Sequence, residues 1–253
     1  MPAIDLNADL AEGETLSLVD RALLDVVTSA SLACGFHAGG PRVMRAAAEL
    51  CLERGVAIGA HVSFRDRPGF GRRPLDVPAA QLAADVVEQW ETLVDEVSTA
   101  GGRVTYIKPH GALYHSMATN PVVAVTVIDA LAPHCTLVVG PPGGALAGPA
   151  AAADVTVVPE VFCDRGYDAH GQLVPRGGTG DLIDDPAEVG ERARSLATEG
   201  RVRAFDGTWV TLAVRTLCIH GDRVGAVRRA QAARDALIRS GVDVRAFAPS
   251  GNR

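Results

Sequence analysis

A lysine, a proline and a histidine stand together at Lys108-Pro109-His110, directly after the β-prone run Val104-Thr105-Tyr106-Ile107. A strand that turns into a helix presents such side chains where α/β enzymes carry out their chemistry. Three further apolar runs finish on a histidine, at His37, His61 and His220. One such histidine is usually a hydrogen-bonded structural residue, but four in register point into a shared mouth. Residues 3–10 alternate apolar and polar and put Asp5, Asn7 and Asp9 on one face of a first strand, with Glu12 just beyond. Imidazoles and carboxylates gathered in this way suit zinc or manganese. They can equally move protons in a metal-free site, with pKa values set by burial and charge. No HxxxH or HExxH pair decides between the two, and both stay open on the residues alone.

The cations admit two readings as well. Lys108 could pair with Asp9 or Glu12, or it could hold an anionic substrate or a developing oxyanion. Arg72-Arg73 and Asp164-Arg165 are either solvated loop edges or, close to a barrel mouth, clamps for a carboxylate or phosphoryl group. Cys34 and Cys163 lie near strand ends, where a buried structural thiol outweighs a nucleophile.

The elements that must position these residues follow from apolar periodicity. Strands are expected at 29–37, 56–60, 104–107, 136–139, 154–158, 214–219 and 242–247, in addition to 3–10. Helices are expected at 16–27, from Pro41 to Gly55, at 78–100, 120–132, 188–198 and 224–239. Two long loops, 61–78 with four arginines and the Gly- and Asp-rich 166–185, are too long to be simple connections. A hairpin with Asp206-Gly207 at its turn is expected over 202–210, and 145–153 reads as helix or loop. Strands alternating with helices imply a parallel sheet covered on both faces, and seven or eight units favour a closed barrel. There is no GxGxxG after the first strand and no Walker lysine, which disfavours an open nucleotide-binding fold.

With 253 residues, 47% hydrophobic and 21% charged, one α/β-barrel domain spanning 1–253 is expected. A net charge of −6 and 4% aromatic residues speak against a nucleic-acid partner and leave a small-molecule substrate. Five scattered cysteines without a CxxC pair read as reduced thiols of a cytoplasmic protein. No run approaches the ~20 apolar residues of a membrane span, and the N-terminus shows no secretory pattern.

The stretches Asp5-Leu6-Asn7-Ala8-Asp9-Leu10, Ala33-Cys34-Gly35-Phe36-His37-Ala38-Gly39, Ile58-Gly59-Ala60-His61 and Gly69-Phe70-Gly71-Arg72-Arg73 occur in that order, as do Lys108-Pro109-His110-Gly111-Ala112-Leu113-Tyr114, Val161-Phe162-Cys163-Asp164-Arg165-Gly166-Tyr167, Leu173-Val174-Pro175-Arg176 and Cys218-Ile219-His220-Gly221-Asp222. Together they resemble the LamB/YcsF family over essentially the whole chain. The resemblance implies an irregular seven-stranded (β/α) barrel of the glycoside hydrolase/deacetylase type. It further implies a subunit that works with two others, B and C, in the ATP-dependent 5-oxoprolinase reaction, opening 5-oxo-L-proline to L-glutamate. ATP would then be shared with or bound by the partners, and a divalent metal and a homo-oligomer stay open. This sequence departs from the family pattern, which usually carries Cys and Gly where Ala8 and Ala11 stand.

Carried over by position, the resemblance makes Asp9, Lys108 and His110 the catalytic candidates. Asn7, His37, His61, Arg72, Arg73, Tyr114, Asp164, Arg165 and His220 become substrate-binding candidates, and Asp9, His37 and His61 a candidate metal set. In this scheme Asp9 or His110 acts as base on water, while Lys108 and an arginine hold the substrate's carboxylate or a phosphate. Two readings from other classes stand beside it: a metal-dependent deacetylase or other carbohydrate-active hydrolase on the same barrel, and a non-catalytic ligand-sensing subunit.

Overall fold

The computed structural model describes residues 2–221 and 223–252; Asp222, the last residue of the final motif, lies outside them. Seven parallel strands close into a barrel: β1 (Ala3–Leu10), β2 (Ser29–Ala33), β3 (Ala57–His61), β4 (Tyr106–Ile107), β5 (Leu137–Gly140), β6 (Thr156–Phe162) and, after an outlying hairpin, β9 (Thr216–Cys218). Closure comes from β9, which pairs with β6 through Glu160↔Thr216 and with β1 through Asn7↔Cys218. The hairpin is β7 (Arg201–Arg203) and β8 (Trp209–Thr211), antiparallel around a turn in which Gly207 adopts φ 91°.

The helices are α1 (Leu18–Leu24), α2 (Pro41–Arg54), α3 (Ala79–Thr99), α4 (Gly111–Thr119), α5 (Pro121–Leu131), α6 (Ala147–Ala152), α7 (Pro186–Glu199) and α8 (Ala226–Arg239). Their ends follow local chemistry. Pro opens α2, α5 and α7, Asn120 and Asp185 cap α5 and α7 through their side chains, and left-handed Gly55 and Gly200 close α2 and α7. Among the described residues no helix is long and apolar enough to cross a membrane.

One apolar cluster runs from Ile4 to Val242 between the strands and the helices. Burial of this outer face holds the barrel together, since every strand is covered on that side. Inside the barrel the filling changes along the axis. Tyr106 packs edge-on against Phe247 with Ala57, Val139 and Val158 and plugs one end. A Cβ at Gly59 would fall 2.1 Å from the Tyr106 ring, so the glycine makes room for the plug. Beyond it lies a polar layer in which Thr28 and Ser29 donate to the carboxylate of Asp5 at 2.7 and 2.8 Å, joined by Thr216.

Several expected boundaries are displaced. The run 29–37 is not strand to its end: β2 stops at Ala33, and left-handed Gly35 (φ 91°) turns the chain so that His37 sits in the following loop. The strand expected at 154–158 extends to Phe162, so Glu160 belongs to the barrel interior. The last strand is only β10 (Asp243–Val244); it pairs with Ala3–Ile4 at the foot of β1, outside the ring.

Candidate active site

At the C-terminal end of the barrel a cavity of about 310 Å³ is lined by Asp9, Glu12, His61, Lys108, His110 and Tyr114, with Arg72, Arg165, Arg176 and His220 among its other walls. That is the end at which barrel enzymes place their chemistry, because the strand ends and the following loops converge there.

Lys108, 2% exposed, lies at the floor. Its Nζ is 2.9 Å from Asp9 Oδ1 and 2.7 Å from Glu160 Oε1, and it donates to Asn7 Oδ1 at 3.1 Å and Cys218 Sγ at 3.2 Å. Burial alone would depress the amine, but the Asp9 carboxylate, with Cys218 and Glu160, holds its pKa well above the ordinary value. The charged form of the amine is thus favoured, and it is already engaged by two carboxylates. Of the two roles expected for Lys108, pairing with Asp9 is the one the contacts display, and the residue also lines the cavity floor. Burial likewise pushes Asp9 upward, yet the charges of His61 and Lys108 hold it well below the usual carboxyl range.

Above this floor three imidazoles converge. His37 and His110 stack with centroids 3.9 Å apart, and His61 meets both edge-on at 5.4 and 4.8 Å. The Nε2 of His61 is 3.3 Å from Asp9 Oδ2, and that of His37 is 3.4 Å from Glu12 Oε1. Burial, together with the neighbouring His61, drives His37 well below its ordinary value and His110 down to about 2, whereas Asp9 raises His61 against its own burial. Among the described residues, Glu12, His37, His61 and His110 form one group that could hold a metal ion, with ligand atoms within 4.8 Å of one another. Of the expected metal set, His37 and His61 fall in this group, together with Glu12 and His110, and Asp9 lies beside it, 3.3 Å from His61 Nε2.

The loop 61–78 closes this side. Gly71 has φ +64°, and a Cβ there would meet His37 Cβ at 2.8 Å and His110 Cδ2 at 2.9 Å. Gly111 (φ +52°) similarly brings its backbone against the Gly71 carbonyl. Ala11, between Asp9 and Glu12, also carries a left-handed φ of 62°, local strain of the kind that collects at functional sites.

The remaining candidates divide. Asn7 donates to Glu160 Oε1 at 3.0 Å and to Thr216 at 2.6 Å and belongs to the floor. Tyr114, its buried hydroxyl without a hydrogen-bond partner among the described residues, and Arg72 both line the cavity. Arg73 does not: it turns outward, 62% exposed in its side chain, and pairs with Asp66. Arg165 contributes to the wall, but its guanidinium donates to the carbonyls of Asp181 at 2.9 Å and Val174 at 2.7 Å and shapes the 166–185 loop. Asp164 is buried behind His220, whose backbone N–H donates to its Oδ2 at 2.9 Å. His220 thus lines the cavity apart from the three clustered imidazoles. All five cysteines are unpaired and buried; burial pushes Cys34 up to about 12 and raises Cys163, so neither is a thiolate nucleophile.

Sequence reading missed Glu160 and Arg176 as site residues. Pro159 within β6 breaks the strand signal one residue before Glu160, and Arg176 reaches the cavity from the far side of a 20-residue loop.

The comparisons agree with this architecture. The chain is 50% identical over 250 residues to the 5-oxoprolinase A subunit of Streptomyces coelicolor, covering 97% of this chain and 100% of that protein. The crystal structure of the lactam utilization protein from Thermus thermophilus superposes with a TM-score of 0.90 at 38% identity, covering 97% of this chain and 100% of that one. A family 4 carbohydrate esterase from Streptomyces lividans shares the barrel alone, with a TM-score of 0.50 at 10% identity over 100% of this chain and 98% of that one. The LamB/YcsF family profile matches residues 4–251, and with these relatives it shows that the chain belongs to the LamB/YcsF family.

Proposed function

We propose that this protein is the A subunit of an ATP-dependent 5-oxoprolinase, acting with B and C subunits to open 5-oxo-L-proline to L-glutamate. The observation that carries the reading is its full-length likeness to proteins of that name. The cavity is compatible with it: about 310 Å³ accommodates a five-membered lactam bearing one carboxylate.

Opening the ring breaks the lactam C–N bond, adds water to the carbonyl carbon and leaves a proton on the departing nitrogen. Asp9 or His110 accepts the proton of the attacking water, and Lys108 with His61 fixes the Asp9 carboxylate. Lys108, on the cavity floor, orients Asp9. The substrate carboxylate, or a phosphoryl group on the activated lactam, falls to Arg72 and Arg176 on the cavity wall. Phe162, Leu173 and Pro175 supply apolar surface for the ring methylenes. The chain carries no Walker lysine or GxGxxG motif, so ATP is bound by or shared with the partner subunits. Unpaired buried cysteines fit a reducing, cytoplasmic setting.

The test is release of glutamate from 5-oxoproline, with and without ATP, by this chain alone and by the mixture with B and C subunits. ATP-dependent release in the complete mixture is expected. Absence of glutamate from that mixture overturns the reading.

A further inference from the structure

Each of the three clustered histidines has one ring nitrogen committed away from the cluster. A carbonyl oxygen only accepts, so His61 Nδ1 donates to Lys108 O at 2.9 Å and His110 Nε2 donates to Phe70 O at 2.9 Å. The Ser63 hydroxyl donates to Phe64 O at 3.0 Å and so accepts from His37 Nδ1, also at 3.0 Å. Gln89 holds Ser63 in place, its Oε1 accepting from Ser63 N at 2.8 Å and its Nε2 donating to Ser63 O at 2.9 Å. With those outward bonds made, His37 Nε2, His61 Nε2 and His110 Nδ1 turn toward one another and toward the Glu12 carboxylate, and His61 Nε2 also lies 3.3 Å from Asp9 Oδ2.

Lone pairs so arranged repel unless something electrophilic lies between them. His61 Nε2 and His110 Nδ1 are only 3.0 Å apart, His37 Nε2 is 3.4 Å from Glu12 Oε1, and His110 Nδ1 is 3.7 Å from the same oxygen. One proton, shared by His61 with His110 and Asp9, relieves one of these contacts. It leaves His37 Nε2 buried and, among the described residues, with no hydrogen-bond partner. A cation at the centre relieves them all. Four donors bound tetrahedrally at 2.0–2.2 Å stand about 3.4 Å from each other, and the four ligand atoms here lie 3.0 to 4.8 Å apart, so a small inward shift of the widest pair brings them to that spacing. The outward hydrogen bonds are also those by which metal-binding imidazoles are held in orientation.

We propose that Glu12, His37, His61 and His110 form a mononuclear binding site for a divalent transition metal of the zinc type, with Ser63 as a positioning residue that sets the His37 tautomer. Three imidazoles and one carboxylate favour such an ion over magnesium or calcium, which take oxygen ligands. The site does not depend on the lactam reading, because its occupancy is measured without substrate.

The full-length chain is stripped with a chelator, dialysed and titrated with zinc by calorimetry, with cobalt as an optical probe. Expected are one equivalent of zinc per chain and the intense visible bands of tetrahedral cobalt. His37→Ala and Glu12→Gln should abolish stoichiometric binding and the cobalt bands. Ser63→Ala should weaken zinc roughly 10- to 100-fold, in line with loss of a partner behind a ligand. Circular dichroism identifies any variant that fails to fold, and Glu12→Gln, at a partly exposed position, keeps the test available if His37→Ala does not. Failure of the wild-type chain to bind either metal, or equal affinity in folded Glu12→Gln, overturns the proposal. If glutamate release fails while zinc binds, only the lactam reading is lost.

Discussion

Lys108 Nζ lies 2.7 Å from Glu160 Oε1 inside the barrel, and the same ammonium reaches Asp9 at 2.9 Å, so one buried cation serves two carboxylates from β1 and β6. Removing the cation takes the ammonium from both carboxylates and leaves Asp9 only the His61 ring, whereas removing Glu160 leaves a Lys108–Asp9 pair. Lys108→Met should therefore cost about 3–5 kcal/mol. Adding Glu160→Gln to it should restore more than half of that loss. Urea unfolding at pH 7 of the two single variants and the double variant decides this, and additive losses would contradict the shared-cation arrangement.

Gly71 and Gly55 both occupy left-handed backbone, but only Gly71 has neighbours where a Cβ would go. Gly55→Ala should cost about 1–2 kcal/mol, the left-handed penalty alone. Gly71→Ala should cost more and should displace His37 and His110, lowering activity of the reconstituted enzyme as well. Thermal unfolding of both variants, with assay of the second, checks the contrast; equal losses would show that the loop yields without disturbing the imidazoles.

Asp5 titrates inside the barrel. Burial raises its carboxyl from an ordinary 3.8 to about 6, against hydrogen bonds from Thr216, Thr28 and Ser29 that lower it. The folded chain thus holds this proton more tightly than the unfolded one. Its stabilising contribution is complete below pH 3.8 and is lost as pH rises to about 6. The loss amounts to about 3 kcal/mol. In Asp5→Asn this dependence should vanish, so that the difference in unfolding free energy between variant and wild type grows from pH 4 to pH 7. Parallel stability curves for the two proteins would refute it.

Of the paired arginines at 72 and 73, only the first lines the cavity, while the second pairs with Asp66 at the surface. Arg72→Ala and Arg176→Ala should each raise the KM for 5-oxoproline roughly 10- to 100-fold, the loss of one charge-assisted hydrogen bond. Arg73→Ala should leave it within about twofold. Steady-state kinetics of the reconstituted complex measure this, and an Arg73→Ala effect as large as that of Arg72→Ala would reject the assignment.

What the sequence determined by itself is local or periodic. Alternation along residues 3–10 aligned Asp5, Asn7 and Asp9, and the strand-then-helix rhythm dictated a closed parallel barrel. Histidines following apolar runs marked the mouth. What only the tertiary structure decided depends on which groups meet across the ring. Glu160 became the second anion of Lys108 because closure pairs β6 with β9, and β9 with β1. Glu12 and His110 come together with His37 and His61 in one group, while Lys108 and His61 lie against the oxygens of Asp9 and His220 lies against buried Asp164. Residue type fixes what a group can bind, but charges compete for partners through space, and only the folded barrel sets the distances at which that competition is settled.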